Sequence, residues 1–395
     1  MTTKPTYNHI PAHRFPDFAN DRKWEVRRLG EIAELYAGAT PSTTVLEYWE
    51  GGTIPWMSSG EVHNGQIFQT EKKITTSGYN NCSTKLVPPN TVVVALAGQG
   101  KTRGTVAITR IQLCTNQSLC SIIPNPTYCS DYLYYYLGSQ YEVLRQISSG
   151  DGTRGGLNLQ ILKDFLIPFP PLGEQHHIAT CLSAADEIIA STNGKFEQLK
   201  IYKKGLIQKL FPARGEKQPE LRFKEFEKDG EWGEKKFGEI ISVNSGRDYK
   251  HLNYGNIPVY GTGGYMLSVD DKLSDIDAVG IGRKGTIDKP QYLKAPFWTV
   301  DTLFFLTNRE GFDIQFIYYL SQTIPWKKYG EQTGVPSLSK LSIENLDVVV
   351  PPTILEQRKI VQTILPLDEE LDSLSKKIVL LENQKKGLMQ QLLIC

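Results

Sequence analysis

Two long stretches of this 395-residue chain place apolar residues at alternating steps of four and three. The first stretch runs from Ile178 to Leu210, and the second runs from Ile360 to Leu392. An average step of 3.5 residues keeps one stripe of an α-helix facing a partner helix, as in a coiled coil. The pattern therefore predicts two long helices that pack through these stripes. We expect the seam to be formed by Ile178, Leu182, Ile189, Phe196, Leu199, Leu206, Ile360, Ile364, Leu371, Ile378, Leu381 and Leu388.

Prolines mark the limits of these helices. Proline pairs at 170–171 and 351–352 precede them and Pro212 follows the first, because proline restricts its own backbone and that of the residue before it. A helix over residues 173–210 would be about 57 Å long at 1.5 Å per residue, which is longer than an ordinary core helix. Pro366 predicts a kink or a late start in the second helix.

The segments before each helix contain short β-rich runs bounded by glycine, proline and asparagine, such as TVVVALAG and TLFFLTN. Helical patterns are sparse there, chiefly over Asp131–Ile147 and Phe312–Tyr329. The fold class is therefore α/β (α+β), with two strand-rich globular domains joined by two long antiparallel helices. The predicted organisation is a tail and domain one over 1–171, helix one over 172–212, a linker and domain two over 213–352, and helix two over 353–395.

Six short motifs occur twice in the same order, which indicates two homologous halves. Past the EQ motif the copies keep one register, since Ile178 and Gly205 recur as Ile360 and Gly387, each 182 residues later. The pairs are WEVRRLGEI and WGEKKFGEI, IPWMSSG and IPVYGTG, RGTV and KGTI, DYLYYYL and QFIYYL, PPLGEQ and PPTILEQ, and KKGLIQKL and KKGLMQQL.

Antiparallel packing of the two helices would relate the halves by an approximate two-fold axis. Two related modules on a fixed spacer are how many proteins read paired half-sites on duplex DNA. Because the two domains differ in sequence, the half-sites should differ too. We therefore predict an asymmetric, two-part target whose unread gap is set by the length of the helices.

Charge and composition narrow the function further. The chain has 44 basic and 43 acidic residues, whereas a free-standing DNA binder usually carries a visible basic excess. Reading DNA would therefore need a partner protein that neutralises part of the phosphate charge. No apolar run is long enough for a membrane helix, and the N-terminal MTTKPTYNHIPAHRFPDF reads as a polar tail without the features of a secretory signal. Six cysteines without a CxxC pair, and histidines without ligand spacing, predict reduced thiols, no metal and a cytoplasmic location.

A W-x₅-G-E-I motif, a variable domain, P-P-L-x-E-Q and an amphipathic helix, all repeated once, resemble the specificity subunit of type I restriction–modification enzymes. The linker LRFKEFEKDGEW before the second copy is typical of that family, and the resemblance spans Trp24 to Leu392. It implies a subunit that reads DNA without being catalytic by itself. It also implies methyltransferase subunits, usually two, docked on the helices, and a motor–nuclease subunit that joins this core. S-adenosylmethionine, ATP and magnesium would then belong to the partner subunits and not to this chain.

Glycine-containing loops that carry lysine or arginine are the candidate DNA contacts. Arginine pairs with guanine, and lysine with phosphate, in many protein–DNA complexes. The alternative is ordinary solvated surface charge. Tyr134, Tyr135, Tyr318 and Tyr319 are interpreted as core, and the Glu-Gln pairs at 174–175 and 356–357 as structural. The predicted DNA-binding residues are Lys101, Arg103, Arg154, Arg283, Lys284 and Lys328.

Two other classes of function remain open. A stand-alone ATPase or methyltransferase would need a nucleotide or methyl-donor site. The segment from Ala95 to Thr102 fits a relaxed phosphate-loop pattern, but RGTVAITR follows it and predicts a strand where that motif needs a helix. A pure scaffold, in which the coiled coil organises partners and the domains bind protein, is the second alternative.

Overall fold

The computed structural model describes residues 13–98, 100–148, 156–330 and 335–393. They form two compact units. The first comprises residues up to 191 together with those from 377 onward, and the second is Thr192–Lys376. Each unit holds a strand-rich domain and a segment of each long helix, so the predicted mixture of strands and helices is confirmed. Among the described helices, none combines the length and the apolar character that a membrane crossing requires.

The first domain is built from short strands, and its elements, followed by the first long helix, are β1 (Glu25–Arg28), α1 (Leu29–Ile32), β2 (Leu35–Ala37), β3 (Ile54–Met57), β4 (Gln66–Ile67), β5 (Lys72–Ile74), α2 (Thr76–Asn80), β6 (Val92–Ala95), β7 (Val106–Thr109), β8 (Cys114–Thr115), β9 (Leu119–Ile122), α3 (Ser130–Ser139), α4 (Tyr141–Ile147), α5 (Leu159–Asp164), β10 (Leu166–Phe169) and the long helix α6 (Leu172–Leu210). The main sheet has five strands in the order β2-β9-β6-β7-β4. A three-stranded sheet, β5-β3-β8, and a pair, β1-β10, complete the domain.

The second domain repeats this plan, and its elements, followed by the second long helix, are β11 (Gly233–Lys236), α7 (Phe237–Ile240), β12 (Ile241–Ser245), β13 (Tyr254–Gly261), β14 (Gly264–Val269), β15 (Ala278–Gly282), β16 (Gln291–Leu293), β17 (Trp298–Thr299), β18 (Leu303–Asn308), α8 (Ile314–Thr323), α9 (Lys340–Glu344), β19 (Asp347–Val350) and the long helix α10 (Ile354–Leu393). Among the described residues its main sheet has one strand fewer and runs β12-β18-β15-β16. Its three-stranded sheet is β14-β13-β17, and its pair is β11-β19.

Equivalent strands pair in the same sense in the two domains. Strand β3 pairs antiparallel with β5 and parallel with β8, and β13 does the same with β14 and β17. Strands β2 and β6 both flank β9, as β12 and β15 flank β18. The internal repeat read from the motifs is therefore a repeat of topology. Each domain also closes on itself, since β1 pairs antiparallel with β10, and β11 with β19.

The two long helices run antiparallel within each unit. In the first unit Ile178 and Leu182 share a core with Leu392, while Asp186, further along α6, pairs with Lys385, which lies earlier in α10. In the second unit the core contains Ile207 and Leu210 with Ile360 and Ile364, while Lys203 pairs with Asp368. In each unit, residues further along α6 contact residues nearer the start of α10.

The predicted seam positions are buried or half-buried. Ile178, Leu182, Ile360 and Ile364 are at most 1% exposed, as expected for a packed stripe. The half-buried members are Ile189, Phe196, Leu199, Leu206, Leu371, Ile378, Leu381 and Leu388.

Three expectations about helices need correction, including the predicted helix over Phe312–Tyr329. Helix α10 begins at Ile354 and continues through Pro366, so the late start is wrong. The predicted helix over Asp131–Ile147 is divided at Gln140 into α3 and α4. In the second domain α8 ends at Thr323, because Pro325 disfavours a helical backbone in the residue before it. A single 3₁₀ turn, Trp326–Lys328, follows.

A buried hydroxyl distinguishes the two three-stranded sheets. In β8 the Thr115 hydroxyl lies 3.2 Å from the hydroxyl of Ser121. In β17 the equivalent Thr299 is fully buried, and its hydroxyl has no hydrogen-bond partner among the described residues. Phe305 occupies the position that Ser121 has in the first domain. The second domain therefore carries an uncompensated desolvation cost that the first domain avoids.

Thr299→Val is expected to raise the free energy of unfolding by about 1 kcal/mol, because the isosteric side chain removes an unsatisfied polar group. Thr115→Val is the matched control and should lower it by about 1 kcal/mol, because it breaks a buried hydrogen bond. Urea denaturation of the two variants measures both effects. Changes of the same sign in the two variants would contradict this interpretation.

Candidate nucleic-acid interface

Each domain is fastened to the start of its long helix by one buried carboxylate. Glu174 in the first turn of α6 is 1% exposed. It accepts two hydrogen bonds of 2.7 Å from the Arg14 guanidinium and one of 3.0 Å from the indole of Trp24. The hydrogen bond from Arg14 also raises the pKa of that guanidinium. Residues 13–18 are thus part of the folded unit, whereas the preceding residues of the predicted tail lie outside the described part of the chain.

The same anchor recurs in the second unit. Glu356 in α10 is 1% exposed and accepts hydrogen bonds from Arg222, at 2.8 and 2.9 Å, and from the Trp232 indole at 3.0 Å. The hydrogen bond to Glu356 raises the pKa of Arg222. A structural role for the carboxylates is expected from their place at the helix starts, whereas their arginine partners were missed. An R-F-x-x-F motif beginning at Arg14 and Arg222 recurs with the 208-residue offset of the two tryptophans, and that signal would have identified them.

The neighbouring glutamines position the first helix that follows each domain's main sheet. Gln175 accepts a 2.8 Å hydrogen bond from the backbone N–H of Cys129, directly before α3, and donates to the carbonyl of Pro170. Gln357 accepts a 2.9 Å hydrogen bond from the backbone N–H of Asp313, directly before α8. Both glutamines are 1% exposed. The EQ motif is therefore a structural joint between domain and helix.

A tyrosine from each domain joins an ion pair between the long helices. Tyr135 is 2% exposed and donates a 2.7 Å hydrogen bond to Asp186, which also pairs with Lys385. Burial, followed by the contact with Asp186, raises the pKa of Tyr135, so the phenol remains a donor at neutral pH. The partly buried Tyr134 packs against the same core.

The second unit contains the same three-residue network. Tyr319 donates a 2.7 Å hydrogen bond to Asp368, which pairs with Lys203. Tyr318 packs partly buried beside it. All four tyrosines thus pack in or against the domain cores, and the hydroxyls of Tyr135 and Tyr319 also donate hydrogen bonds to aspartates.

Two of the predicted DNA-binding residues line one groove in the second domain. Arg283 and Lys284 are exposed, and Lys340 joins them in the lining. Two backbone hydrogen bonds hold the loop that carries Arg283 and Lys284. The N–H of Leu338 donates to the carbonyl of Arg283, and the N–H of Gly285 donates to that of Pro336. The groove has a volume of about 490 Å³ and presents three cationic side chains.

In the first domain Lys101 lines a groove with His63, Tyr141 and Arg145. Lys101 is exposed, and its carbonyl accepts hydrogen bonds from the hydroxyls of Thr105 and Tyr141. Arg103 is half-buried a short distance along the same loop. Arg154 lies outside the described residues. The structure therefore places the cationic loop of the first domain, but only part of its predicted set.

Lys328 lines a different groove from Arg283 and Lys284. It is exposed in the turn Trp326–Lys328 and lines a larger groove with Lys200 and Lys204 of α6. The predicted contacts of the second domain are thus divided between two surfaces. Whether each touches DNA stays a prediction.

The candidate phosphate loop is part of a β-hairpin. Strands β6 and β7 pair antiparallel, with Val94 opposite Val106, so a strand and not a helix follows the loop. A phosphate loop needs the N-terminus of a helix at that position. Among the described residues no group of three or more histidine, cysteine, aspartate or glutamate side chains is arranged to hold a metal ion.

Comparison with known proteins identifies the repeated domain. The family model described as "Type I restriction modification DNA specificity domain" matches residues 21–201 and again residues 229–383. The chain belongs to this family. Its role is that of the specificity component of a type I restriction–modification system, which is not itself a catalytic role. The resemblance and the fold class inferred from the motifs are confirmed.

Individual members of the family support this placement. The type I restriction enzyme MjaIX specificity subunit of Methanocaldococcus jannaschii is 28% identical over 411 aligned residues, which cover 94% of this chain and 93% of that protein. The EcoR124I/EcoR124II specificity subunit of Escherichia coli is 29% identical over 204 residues, covering 51% of this chain and 50% of its own. The crystal structure of the type I S subunit from M. genitalium shares the fold, with a TM-score of 0.67 at 20% identity, and covers 98% of this chain and 100% of that one.

Proposed function

We propose that this specificity subunit reads an asymmetric, two-part target on duplex DNA, with one strand-rich domain for each half. The observation that carries the proposal is a shared strand topology combined with cationic grooves of different composition. His63, Lys101 and Arg145 line the groove of the first domain, whereas Arg283 and Lys284 line that of the second. Domains of one fold with different surface residues are suited to reading different bases.

The contacts that we propose are Lys101, Arg103 and Arg154 in the first domain, and Arg283, Lys284 and Lys328 in the second. Lysine suits phosphate, and arginine suits either phosphate or guanine. The site of action would be the cytoplasm, where the host DNA is reached.

Methyltransferase subunits, two in number, would dock on the long helices, and motor–nuclease subunits would join that complex. S-adenosylmethionine, ATP and magnesium would be bound by those partners, and the length of the helices would set the unread gap in the target. Large apolar side chains remain exposed on the helices away from the seam, and docked partners would remove them from water. They are Ile188, Ile201, Tyr202, Val379 and Leu380.

Alanine variants of Lys101 and Lys284 test the DNA contact. For a phosphate contact, the slope of log affinity against log salt should become shallower by about one unit, because one fewer counterion is released. The measurement uses the chain in complex with its methyltransferase subunits and a duplex that carries the target. Lys272→Ala is the control, because this lysine is already ion-paired with Asp275. An unchanged slope removes the residue concerned from the proposed interface.

The target itself is found by mapping methylated adenines in the host genome. A two-part asymmetric motif modified on both strands is the expected result. A complex that binds all duplexes equally would favour the scaffold alternative. Binding of ATP or a methyl donor to the isolated chain would favour the enzyme alternative.

A further inference from the structure

A four-residue segment of the second domain, residues 299–302, leads from β17 to β18. Two of its backbone carbonyls accept hydrogen bonds from the backbone N–H groups of arginines. The N–H of Arg247 donates to Thr299 and the N–H of Arg283 donates to Thr302, each at 2.8 Å. Three residues of extended chain span at most about 10 Å. The two arginines are therefore held near one another by a single short segment.

Arg247 lies on a backbone that is fixed on both sides. Its carbonyl accepts a 2.9 Å hydrogen bond from the indole of Trp298. The preceding Gly246 packs so closely that a Cβ there would lie 2.0 Å from the carbonyl oxygen of Val300. The Arg247 side chain is exposed, and within the described part of the chain it makes no ion pair or hydrogen bond. The backbone of Arg247 is therefore fixed, while its guanidinium is exposed and available to a ligand.

Arg283 is held in a comparable way. Its carbonyl accepts a 2.8 Å hydrogen bond from the N–H of Leu338. Its guanidinium lies 5.7 Å from the ring centroid of Phe304, a distance at which the ring face attracts the cation. This attraction favours a position of the guanidinium beside the ring, and the Arg283 side chain remains exposed.

The first domain has the same backbone hydrogen bonds without the arginines. Ala39 N–H donates to Thr115 at 2.9 Å, and the Ala39 carbonyl accepts a 3.0 Å hydrogen bond from the indole of Trp56. Leu96 N–H donates to Ser118 at 2.8 Å. Ala39 and Leu96 thus occupy the backbone positions of Arg247 and Arg283. The scaffold is common to both domains, and the cationic side chains belong to the second alone.

We infer that Arg247 and Arg283 each read a guanine in the half of the target that the second domain binds. The inference rests on the proposed function and adds the base that is recognised and a residue, Arg247, that the motifs did not single out. The planar fork of arginine matches O6 and N7 of guanine in the major groove, and it is the commonest base-specific contact. The first domain, with Ala39 and Leu96, lacks this contact.

Asp301, which lies between Thr299 and Thr302, favours contact of the two arginines with bases over contact with phosphates. Asp301 is exposed in the middle of the segment, and no ion pair within the described residues neutralises it. A carboxylate is repelled by phosphates, but it accepts a hydrogen bond from the amino group of cytosine. Arginines that flank an aspartate are therefore arranged for the edges of G·C pairs.

The test uses the chain in complex with its methyltransferase subunits and a panel of duplexes in which each base pair of both half-sites is changed in turn. Arg247→Lys keeps the charge but removes the fork. We expect the wild-type complex to prefer the native base by about tenfold to hundredfold at one G·C pair, and the variant to lose that preference there alone. Its salt slope should be unchanged. Arg283→Lys should act likewise at a second G·C pair.

Arg309→Lys, an exposed arginine directly after the other end of β18, is the matched control and should leave every preference unchanged. Preserved discrimination in Arg247→Lys at all positions would overturn the inference. A shallower salt slope in Arg247→Ala would then identify a phosphate contact instead. If the wild-type complex bound every duplex of the panel equally, the proposed function itself would be overturned. No result with Arg247→Lys or Arg283→Lys alone can do this.

Discussion

Replacing Glu356 with alanine is expected to lower the free energy of unfolding by about 3–5 kcal/mol, because it leaves a buried guanidinium without its counter-charge. The Arg222 side chain is only 11% exposed and cannot recover full hydration. The Trp232 indole would lose its acceptor as well. Urea denaturation followed by far-ultraviolet circular dichroism measures the loss.

The control for this variant is Glu220→Ala. Glu220 pairs with Lys209 at 2.8 Å, but the two side chains are 69% and 56% exposed. A solvated pair of this kind contributes at most about 1 kcal/mol. If Glu356→Ala were no more destabilising than Glu220→Ala, the carboxylate would not be the anchor described above.

Asp368→Ala is expected to destabilise the second unit by about 2 kcal/mol, because it removes the acceptor of two buried donors. One is the Lys203 ammonium, whose side chain is 12% exposed, and the other is the Tyr319 hydroxyl. Adding Lys203→Met and Tyr319→Phe to this variant should recover most of the loss, since no unpaired polar group then remains. Denaturant midpoints of the single and triple variants measure the difference.

A second ion pair between the same helices provides the comparison. Lys195 and Glu370 lie 2.6 Å apart, with side chains 62% and 43% exposed. Glu370→Ala should therefore cost less than about 1 kcal/mol. An equal loss in Asp368→Ala and Glu370→Ala would show that burial adds nothing at the Asp368 network.

Much of the fold could be predicted because its rules are local. The steps of four and three identified the helices, and the recurring motifs identified the two halves. Lys203 lies between Leu199 and Leu206, and Lys385 lies between Leu381 and Leu388, at the same steps of four and three. Their aspartate partners lie on the other helix, at a distance that no periodicity encodes. The late start at Pro366 was wrong because the helix extends on both sides of that residue.

The candidate interface was less accessible to sequence reasoning. Cations in glycine-containing loops predict Arg283 and Lys284 as DNA contacts, and both stay predictions. Arg247 was missed because its position is defined by the carbonyl of Thr299, 52 residues later, and by the indole of Trp298. Hydrogen bonds across such separations become visible only once the chain is folded.

The pairing of β1 with β10 affects how the sequence of the protein could change by recombination. Glu25 lies opposite Phe169, so the chain enters and leaves the first domain through two adjacent strands. Gly233 lies opposite Val350 in the second domain, with the same result. Recombination in these strands would therefore exchange a whole domain while both long helices keep their sequence.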